Sequence, residues 1–404
     1  MDYNALIAMG SRATSSRQFR SDVQKDVKNE VSKQTYSQRE LHRLLKFTNK
    51  PIAMNTLKEI MLQQETEGVI FPRTASGQYQ LSIEDCWKVG DYLGVTRYRD
   101  KGLNAFVAIL QNLKGGVGKS LGTNMLAEAL ILLDKYLMQQ VRVLIIDLDP
   151  QGTSTQQVLP GYEISDSDLT SVLAMASKGL SRDELLLSGV KKTSITNLDI
   201  LPCGTLDGFL ADELDDLDIT EGQPYFTLLH HRVIKNLAKD YDFIFLDAGP
   251  HMDKVMKNCI AAADGIFIPV PPTFYNWDST VRFVERLPIV IEQMISDGYQ
   301  CEKLKFISAY ISKDVSNKRQ HDQDIYQGAV SELYNIFGHQ FVLKHPLPAE
   351  DAFERCTDSS TTIFSMIRKN YTGSTDAFNR SYIKASEWAK ELIDMMVIYH
   401  KGEQ

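Results

Sequence analysis

A glycine-rich run with two lysines follows a short apolar run near residue 110, and its residue types suit phosphate binding. Glycines let backbone N–H groups converge on an anion, a lysine can reach the β- and γ-phosphates, and a hydroxyl can bind Mg²⁺. The usual pattern has a glycine where this chain has Leu113, and the alternative interpretation is a simple glycine-rich turn. We predict that a nucleoside triphosphate contacts Lys114, Gly115, Gly116, Val117, Gly118, Lys119, Ser120 and Leu121.

Two aspartates, Asp147 and Asp149, follow a second apolar run, Val141–Ile146. An apolar strand that ends in Asp-x-Asp puts both carboxylates at the rim of the sheet, where open α/β sheets bind ligands. Asp149 precedes Pro150, which stiffens the turn, so it is suited to hold an attacking water or the water shell of a metal. The alternative is a helix-capping residue beside a surface acid.

A third carboxylate, Asp247, ends the apolar run Phe243–Leu246 and precedes a Gly-Pro turn that could approach the γ-phosphate. An acid at this position beside a phosphate loop is typical of the metal side of a nucleotide-hydrolysing site. Mg²⁺ prefers one or two carboxylates together with waters and substrate oxygens. We therefore predict a Mg²⁺ site at Ser120, Asp147 and Asp247.

The elements that must position these residues alternate along the chain. From residue 105 onward, short apolar runs alternate with helix-like segments, a pattern typical of an α/β fold with a buried, mostly parallel sheet. The predicted strands are Ala105–Leu110, Val141–Ile146, Leu198–Leu201, Phe243–Leu246, Gly265–Val270 and Leu304–Ala309.

Residues 35–81 show a different order of helix, turn, helix and hairpin. Ser37 and Glu40 form a capping-box sequence, and Gly68 suits the end of the second helix. This order is typical of a winged helix-turn-helix, which puts its second helix in the major groove and its hairpin over the DNA backbone. A small helical docking module is the alternative. The candidate DNA contacts are Lys50, Asn55, Thr56, Lys58 and Arg73.

Composition and charge indicate which partners and which compartment suit the protein. The chain has 404 residues, 44 Lys/Arg and 52 Asp/Glu, so an acidic net charge of −8 does not steer it to DNA or anionic lipid. Any nucleic-acid contact must then come from local basic patches. We expect no membrane span and no secretory leader. Five widely spaced cysteines argue against a disulfide framework or zinc knuckle and for a reducing compartment.

Together these motifs resemble those of a known ATPase family. The two-lysine loop, Asp-Leu-Asp-Pro-Gln-Gly at 147–152 and Asp-Ala-Gly-Pro at 247–250 are similar to the deviant Walker ATPases of the ParA/MinD group. The N-terminal pattern is similar to the large ParA partition ATPases with a winged helix-turn-helix. The resemblance covers roughly residues 35–400 and includes Tyr98-Arg99-Asp100 and the stretch 352–356.

The resemblance implies a role for each matching residue of the loop and the strand ends. Lys119 would hold the phosphates of its own subunit, and Lys114 would reach the partner's ATP across a dimer. Ser120 and Asp247 would serve Mg²⁺ directly or through water. Asp149 would position the hydrolytic water.

The resemblance also implies the domain plan and a second DNA site. Arg355 stands where the family has a basic residue for sequence-independent DNA binding. The predicted domains are an N-terminal arm for dimerisation or a partly ordered tail (1–34), a winged helix-turn-helix with its linker (35–100) and a P-loop ATPase domain (101–404).

The implied function is that of a cytoplasmic, nucleoid-associated DNA partition ATPase that uses ATP/ADP and Mg²⁺. It would dimerise on ATP, bind DNA without sequence preference and hydrolyse ATP weakly until DNA and a ParB-type centromere-binding protein stimulate it. The N-terminal domain would bind operator DNA and repress its own operon.

Three rival functions share the phosphate loop. A MinD-like membrane ATPase would end in a basic amphipathic helix, but the last predicted helix, about Ser381–Tyr399, carries Glu387, Glu391 and Asp394, an acidic face that suits anionic lipid poorly. We therefore expect no membrane partner. A repressor that binds nucleotide without turnover stays open. An iron–sulfur reductase would need two cysteines after the sheet motifs, and the sequence has none there.

Overall fold

The computed structural model describes residues 3–31, 34–165, 167–299, 303–314 and 320–402. The strands are β1 (Phe106–Leu110), β2 (Val143–Asp147), β3 (Lys191–Lys192), β4 (Leu198–Leu201), β5 (Phe243–Asp247), β6 (Gly265–Val270), β7 (Phe306–Asp314) and β8 (Leu347–Pro348). The helices are α1 (Tyr3–Val31), α2 (Gln38–Leu45), α3 (Met54–Thr66), α4 (Ile83–Leu93), α5 (Lys119–Leu132), α6 (Asp134–Leu137), α7 (Thr153–Val158), α8 (Ser171–Ala176), α9 (Arg182–Glu184), α10 (Asp207–Asp212), α11 (Leu217–Thr220), α12 (Lys235–Leu237), α13 (Lys254–Ala262), α14 (Phe274–Ser296), α15 (Gln320–Phe337), α16 (Asp351–Asp358) and α17 (Thr375–Lys401).

Within the described residues, the strands form one sheet in the order β3-β4-β2-β5-β1-β6-β7-β8. All neighbours are parallel except β3, which runs antiparallel to β4. The predicted α/β fold with a mostly parallel sheet is confirmed, and each predicted apolar run overlaps a strand, although β7 runs five residues beyond its predicted end. β3 and β8 were not predicted, because two residues are too few to make an apolar run.

The two faces of the sheet bury separate cores. Alternate residues of β1 point to opposite faces, as the two-residue period of a strand requires. Val107 and Ile109 pack with α8 and α13–α15, whereas Phe106, Ala108 and Leu110 pack with α5, α16 and α17. The sheet therefore fixes the phosphate-loop helix α5 on the same face as α16 and α17.

Helix α17 closes that second face. Ala385, Trp388, Ala389, Leu392 and Met396 are all fully buried, as the spacing of these residues predicts. No helix among the described residues is both long and apolar enough to cross a membrane.

The N-terminal helices α2, α3 and α4 share a small core of their own that also includes Leu137 and Met138 of the following domain. The predicted capping box is present, since the Ser37 hydroxyl accepts from the Glu40 N–H and the Glu40 carboxylate accepts from the Ser37 N–H.

The hairpin after α3 is shorter than predicted. Arg73 bridges Tyr79 in antiparallel register, and Gly77 turns the chain with a positive φ of 80°. Residues 69–71, between α3 and the hairpin, form no strand, because the Val69 N–H bonds back to the carbonyl of Gln64 at the end of α3.

Helix α1 spans 29 residues, so the described part of the predicted N-terminal arm is almost entirely one helix. Several large apolar side chains on it are exposed: Tyr3, Leu6, Ile7, Met9, Phe19 and Val23. A role in dimerisation stays a prediction.

The end of α17 is tied to the start of the ATPase fold through His400. Its Nε2 lies 2.6 Å from the carbonyl of Asn104, and the Tyr98 hydroxyl lies 2.9 Å from its Nδ1. A carbonyl only accepts, so Nε2 donates to Asn104, and in the neutral ring Nδ1 accepts from the Tyr98 hydroxyl. Burial lowers the pKa of His400 to about 4 from its ordinary 6.5.

We predict that His400→Gln makes the free energy of unfolding less dependent on pH below 7. A lowered pKa in the folded state means that protons bind the unfolded chain first, so stability falls as the pH drops from 6.5 towards about 4. Between pH 7 and pH 5 the wild type should lose about 2 kcal/mol more than the variant, whose amide does not titrate. Urea unfolding midpoints at the two pH values measure this, and equal pH dependence in both proteins would contradict it.

Candidate active site

The phosphate loop runs from the end of β1 to the start of α5. Gly116 and Gly118 have positive φ values of 72° and 96°, a conformation that a residue with a Cβ rarely adopts. Asn112 anchors the loop, because its Nδ2 donates to the Pro269 carbonyl at 2.9 Å and to the Thr280 hydroxyl at 2.8 Å. Its Oδ1 accepts from the Lys114 N–H at 3.1 Å. Sequence reasoning did not identify this anchor.

The two lysines of the loop have opposite environments. The Lys119 side chain is buried, and its Nζ donates to the carbonyls of Asn112 and Lys114, each at 3.2 Å. Burial lowers the pKa of Lys119, and Asp247 and Asp149 oppose that shift. Lys114 lies exposed at the rim of the loop, beside the exposed Gly115. One lysine thus points into the loop while the other faces outward.

Asp147 and Asp247 are direct neighbours across β2 and β5, since their Cα atoms are register partners. Both are fully buried, and burial raises the pKa of each carboxyl. The pKa of Asp247 reaches about 6, and the Asp247 charge raises the pKa of Asp147 further. Two adjacent buried carboxylates need hydrogen-bond donors or a cation to remain ionised.

The hydroxyl donors come from α5 and α7. Ser120 donates to Asp247 Oδ1 at 3.1 Å, and Ser154 donates to Asp247 Oδ2 at 2.7 Å. Thr155 holds Asp147 Oδ2 through its N–H at 2.8 Å and its hydroxyl at 2.7 Å. Ser154 and Thr155 are functional residues that sequence reasoning missed. The run of hydroxyl residues after Gly152 was the available signal.

Asp149 begins the turn that follows β2, and it lies next to the segment that follows Asp247. Its Oδ1 accepts from the Gln151 N–H at 3.0 Å, which holds the turn. A Cβ built on Gly249 would lie 3.7 Å from Asp149 Oδ2, so the two loops are in contact. Gln111 fixes the second loop by donating to the Gly249 carbonyl at 3.0 Å.

The predicted loop and metal residues therefore meet at one edge of the sheet, whereas the predicted DNA contacts lie elsewhere. Asn55, Thr56 and Lys58 are exposed on the first half of α3, and Lys50 is exposed just before it. Arg355 is exposed on α16.

Arg73 is exposed but already has partners. Its guanidinium pairs with Glu65 at 2.8 Å and stacks over the Tyr79 ring at 3.9 Å. A DNA phosphate would have to compete with that carboxylate.

The site has the chemistry to hold a triphosphate with Mg²⁺. It offers a loop of backbone N–H groups, an inward lysine, a serine hydroxyl and the buried carboxylate of Asp247. Among the described residues, no three His, Cys, Asp or Glu side chains form a ready metal cage.

Comparison with known proteins finds a matching family model and several similar proteins. A family model described as an AAA domain matches residues 105–297. The chain is 34% identical over 343 residues to plasmid partition protein A of Escherichia coli, which covers 82% of both chains. It is 26% identical over 191 residues to the sporulation initiation inhibitor protein Soj of Bacillus subtilis, covering 47% of this chain and 68% of Soj.

Solved structures share the fold. A partition protein superposes with a TM-score of 0.73 at 23% identity and covers 99% of each chain. Cobyrinic acid a,c-diamide synthase of Mycobacterium smegmatis, with bound ATP analogue and magnesium, gives a TM-score of 0.50 at 19% identity over 72% of this chain and 94% of that chain. The identity of 34% sustained over four fifths of both sequences shows that the chain belongs to the ParA family of partition ATPases.

Proposed function

We propose that the protein is an ATP-driven DNA partition ATPase whose turnover takes place between the phosphate loop and the ends of β2 and β5. The observation that carries this proposal is the convergence of the buried Lys119, Ser120 and Asp247 at one sheet edge. Buried charges of both signs that face one opening are typical of a site built for a charged ligand.

Each residue of the site has a separate task in this proposal. Lys119 and the N–H groups of the loop bind the β- and γ-phosphates, while Ser120 and Asp247 hold Mg²⁺ directly or through water. Mg²⁺ supplies charge neutralisation at the phosphates. Asp149 orients the attacking water. Asp147, predicted above as a metal residue, instead fixes the turn that carries Asp149, because its Oδ1 accepts from the Asp149 N–H at 3.2 Å while Thr155 holds its Oδ2. Catalysis then comes from positioning and electrostatics.

The exposed Lys114 suits a contact with a second subunit. Within the part of the chain that the structure describes, its backbone N–H and carbonyl are hydrogen-bonded in the loop and its side chain is exposed. We propose that it reaches the ATP of the partner and that ATP-bound subunits form a homodimer.

Two separate DNA surfaces follow from the domain plan of residues 35–100 and 101–404. The exposed start of α3 and the short hairpin would read operator DNA and repress the operon, with Lys50, Asn55, Thr56, Lys58 and Arg73 as contacts. Arg355 on α16 would bind phosphates of any sequence. The partner that stimulates hydrolysis is a centromere-binding protein of the ParB type, in a cytoplasm where the protein associates with the nucleoid.

Rival functions fit less well. A MinD-like ATPase would need a free amphipathic helix, but the apolar side of α17 is already buried in the core. A repressor without turnover has no use for Asp149 beside the Gly249 loop.

We predict that the two loop lysines have separable effects. Lys119→Ala should lower ATP affinity about 100-fold, because charged hydrogen bonds contribute roughly 1.5–3 kcal/mol each. Lys114→Ala should bind ATP within about threefold of the wild type yet fail to dimerise and turn over. Equilibrium binding and light scattering measure both effects, with Lys390→Ala as the exposed-lysine control. Equal loss of nucleotide affinity in both variants would contradict the cross-subunit role.

We predict that Asp149→Asn binds ATP and DNA but hydrolyses ATP about 100-fold or more slowly, since a positioned base contributes about 10²–10⁴. The asparagine keeps an oxygen for the Gln151 N–H, so the turn is preserved. Single-turnover hydrolysis measures the rate. A wild-type rate in this variant would exclude a water-positioning role.

We predict that Arg355→Ala weakens binding to random DNA only in the presence of ATP. Each lost phosphate contact lowers the slope of log K against log salt by about one unit, and a dimer presents two. Salt titrations with a random duplex measure the slope, and operator affinity, which Lys58→Ala should lower instead, is measured in parallel. An unchanged slope would assign the non-specific site to other cations, such as Lys369 and Lys384.

A further inference from the structure

We infer that the short helix α7 couples the carboxylates of the nucleotide site to the DNA-binding helix α16 of the same chain. The coupling passes through one buried amide, that of Gln157. This inference rests on the proposed function, because it concerns how the nucleotide site controls the DNA site.

The first turn of α7 is fixed to the nucleotide site. Ser154 donates to Asp247 at 2.7 Å and Thr155 donates to Asp147 at 2.7 Å, and all four side chains are buried. Any change in what the two carboxylates bind therefore acts directly on the start of α7.

The last turn of α7 is fixed to two other elements through Gln157. Its Oε1 accepts from the Asn124 Nδ2 of α5 at 2.7 Å, and its Nε2 donates to the Thr361 carbonyl at 3.2 Å. Gln157 is 8% exposed and Asn124 is fully buried. The amide thus joins the phosphate-loop helix, α7 and the segment after α16.

Thr361 closes the end of α16. Its N–H and its hydroxyl both donate to the Cys356 carbonyl at 3.0 Å, directly after Arg355. The next residue, Thr362, donates through its hydroxyl to the buried carboxylate of Glu128 on α5. The C-terminal end of α16 is therefore held by α5 and α7 rather than by solvent.

Because α7 is short, a displacement of its first turn also displaces its last turn. Ser154 and Gln157 are one helical turn apart, about 4.5 Å along the axis. A buried polar group that loses its partner costs about 1–3 kcal/mol, so Gln157 and Thr361 must move together when α7 moves. Arg355 then changes position with the state of Asp247, with no need for the second subunit.

The test compares the wild type with Gln157→Met, which keeps an unbranched side chain of similar length without its hydrogen bonds. Ser365→Ala is the matched control, because Ser365 is buried in the same segment and, within the described residues, its hydroxyl accepts from the nearby Thr362 N–H. The measured quantity is the ratio of random-duplex affinity with a non-hydrolysable ATP analogue to that without nucleotide.

In Gln157→Met this ratio should fall at least about fivefold, the lower end of typical allosteric coupling. Analogue affinity without DNA should stay within about threefold of the wild type, and dimerisation should persist. Because coupling is reciprocal, the DNA-induced gain in analogue affinity should fall by the same factor. Ser365→Ala should keep the wild-type ratio.

Several outcomes would overturn the inference. A wild-type ratio in Gln157→Met contradicts the coupling alone, and so does loss of analogue binding or of dimerisation, which would assign Gln157 to those steps. A ratio of one in the wild type contradicts the proposed function itself. If Gln157→Met fails to fold, hydrogen exchange of the wild type decides. The analogue should slow exchange in residues 356–366 at least about threefold without DNA, and unchanged exchange there overturns the coupling.

Discussion

The adjacency of Asp147 and Asp247 is the constraint on which the rest of the structure depends. The parallel register of β2 and β5 places two carboxylates side by side in a buried position, where both have raised pKa values. Such a pair is stable only if donors or cations surround it. The hydroxyls of Ser154 and Thr155 at the start of α7, Ser120 at the start of α5 and the inward Lys119 of the loop all meet that need.

The same face of the sheet carries the phosphate-loop helix and the helix with Arg355. Helices α5, α16 and α17 pack in one core, so the phosphate loop and the surface with Arg355 share a single packed layer. The acidic net charge of the chain gives no general attraction to DNA. Local cations presented twice by a dimer can supply that attraction, and control by ATP then follows from assembly and from the position of α16.

The sequence was sufficient for the sheet and the loop, because buried parallel strands are continuous apolar runs and the loop requires glycine and lysine at fixed spacing. The sequence was not sufficient to predict contacts between residues that only strand pairing and helix packing bring together. Ser154 gains its partner Asp247 only when β2 and β5 pair, and Asn112 gains its partners only when β6 and α14 lie beside the loop. The two-residue strands β3 and β8 have no apolar run to reveal them. The pairing of Arg73 with Glu65 could not be predicted either, because it forms only when the hairpin packs beside α3.

The central claim is that nucleotide at the paired carboxylates controls DNA binding. The most direct measurement is the affinity of the wild-type protein for a long random duplex with no nucleotide, ADP, ATP and a non-hydrolysable ATP analogue at one salt concentration. The account predicts tight binding with ATP and the analogue and weak binding with ADP or without nucleotide. Equal affinity in all four states would contradict it.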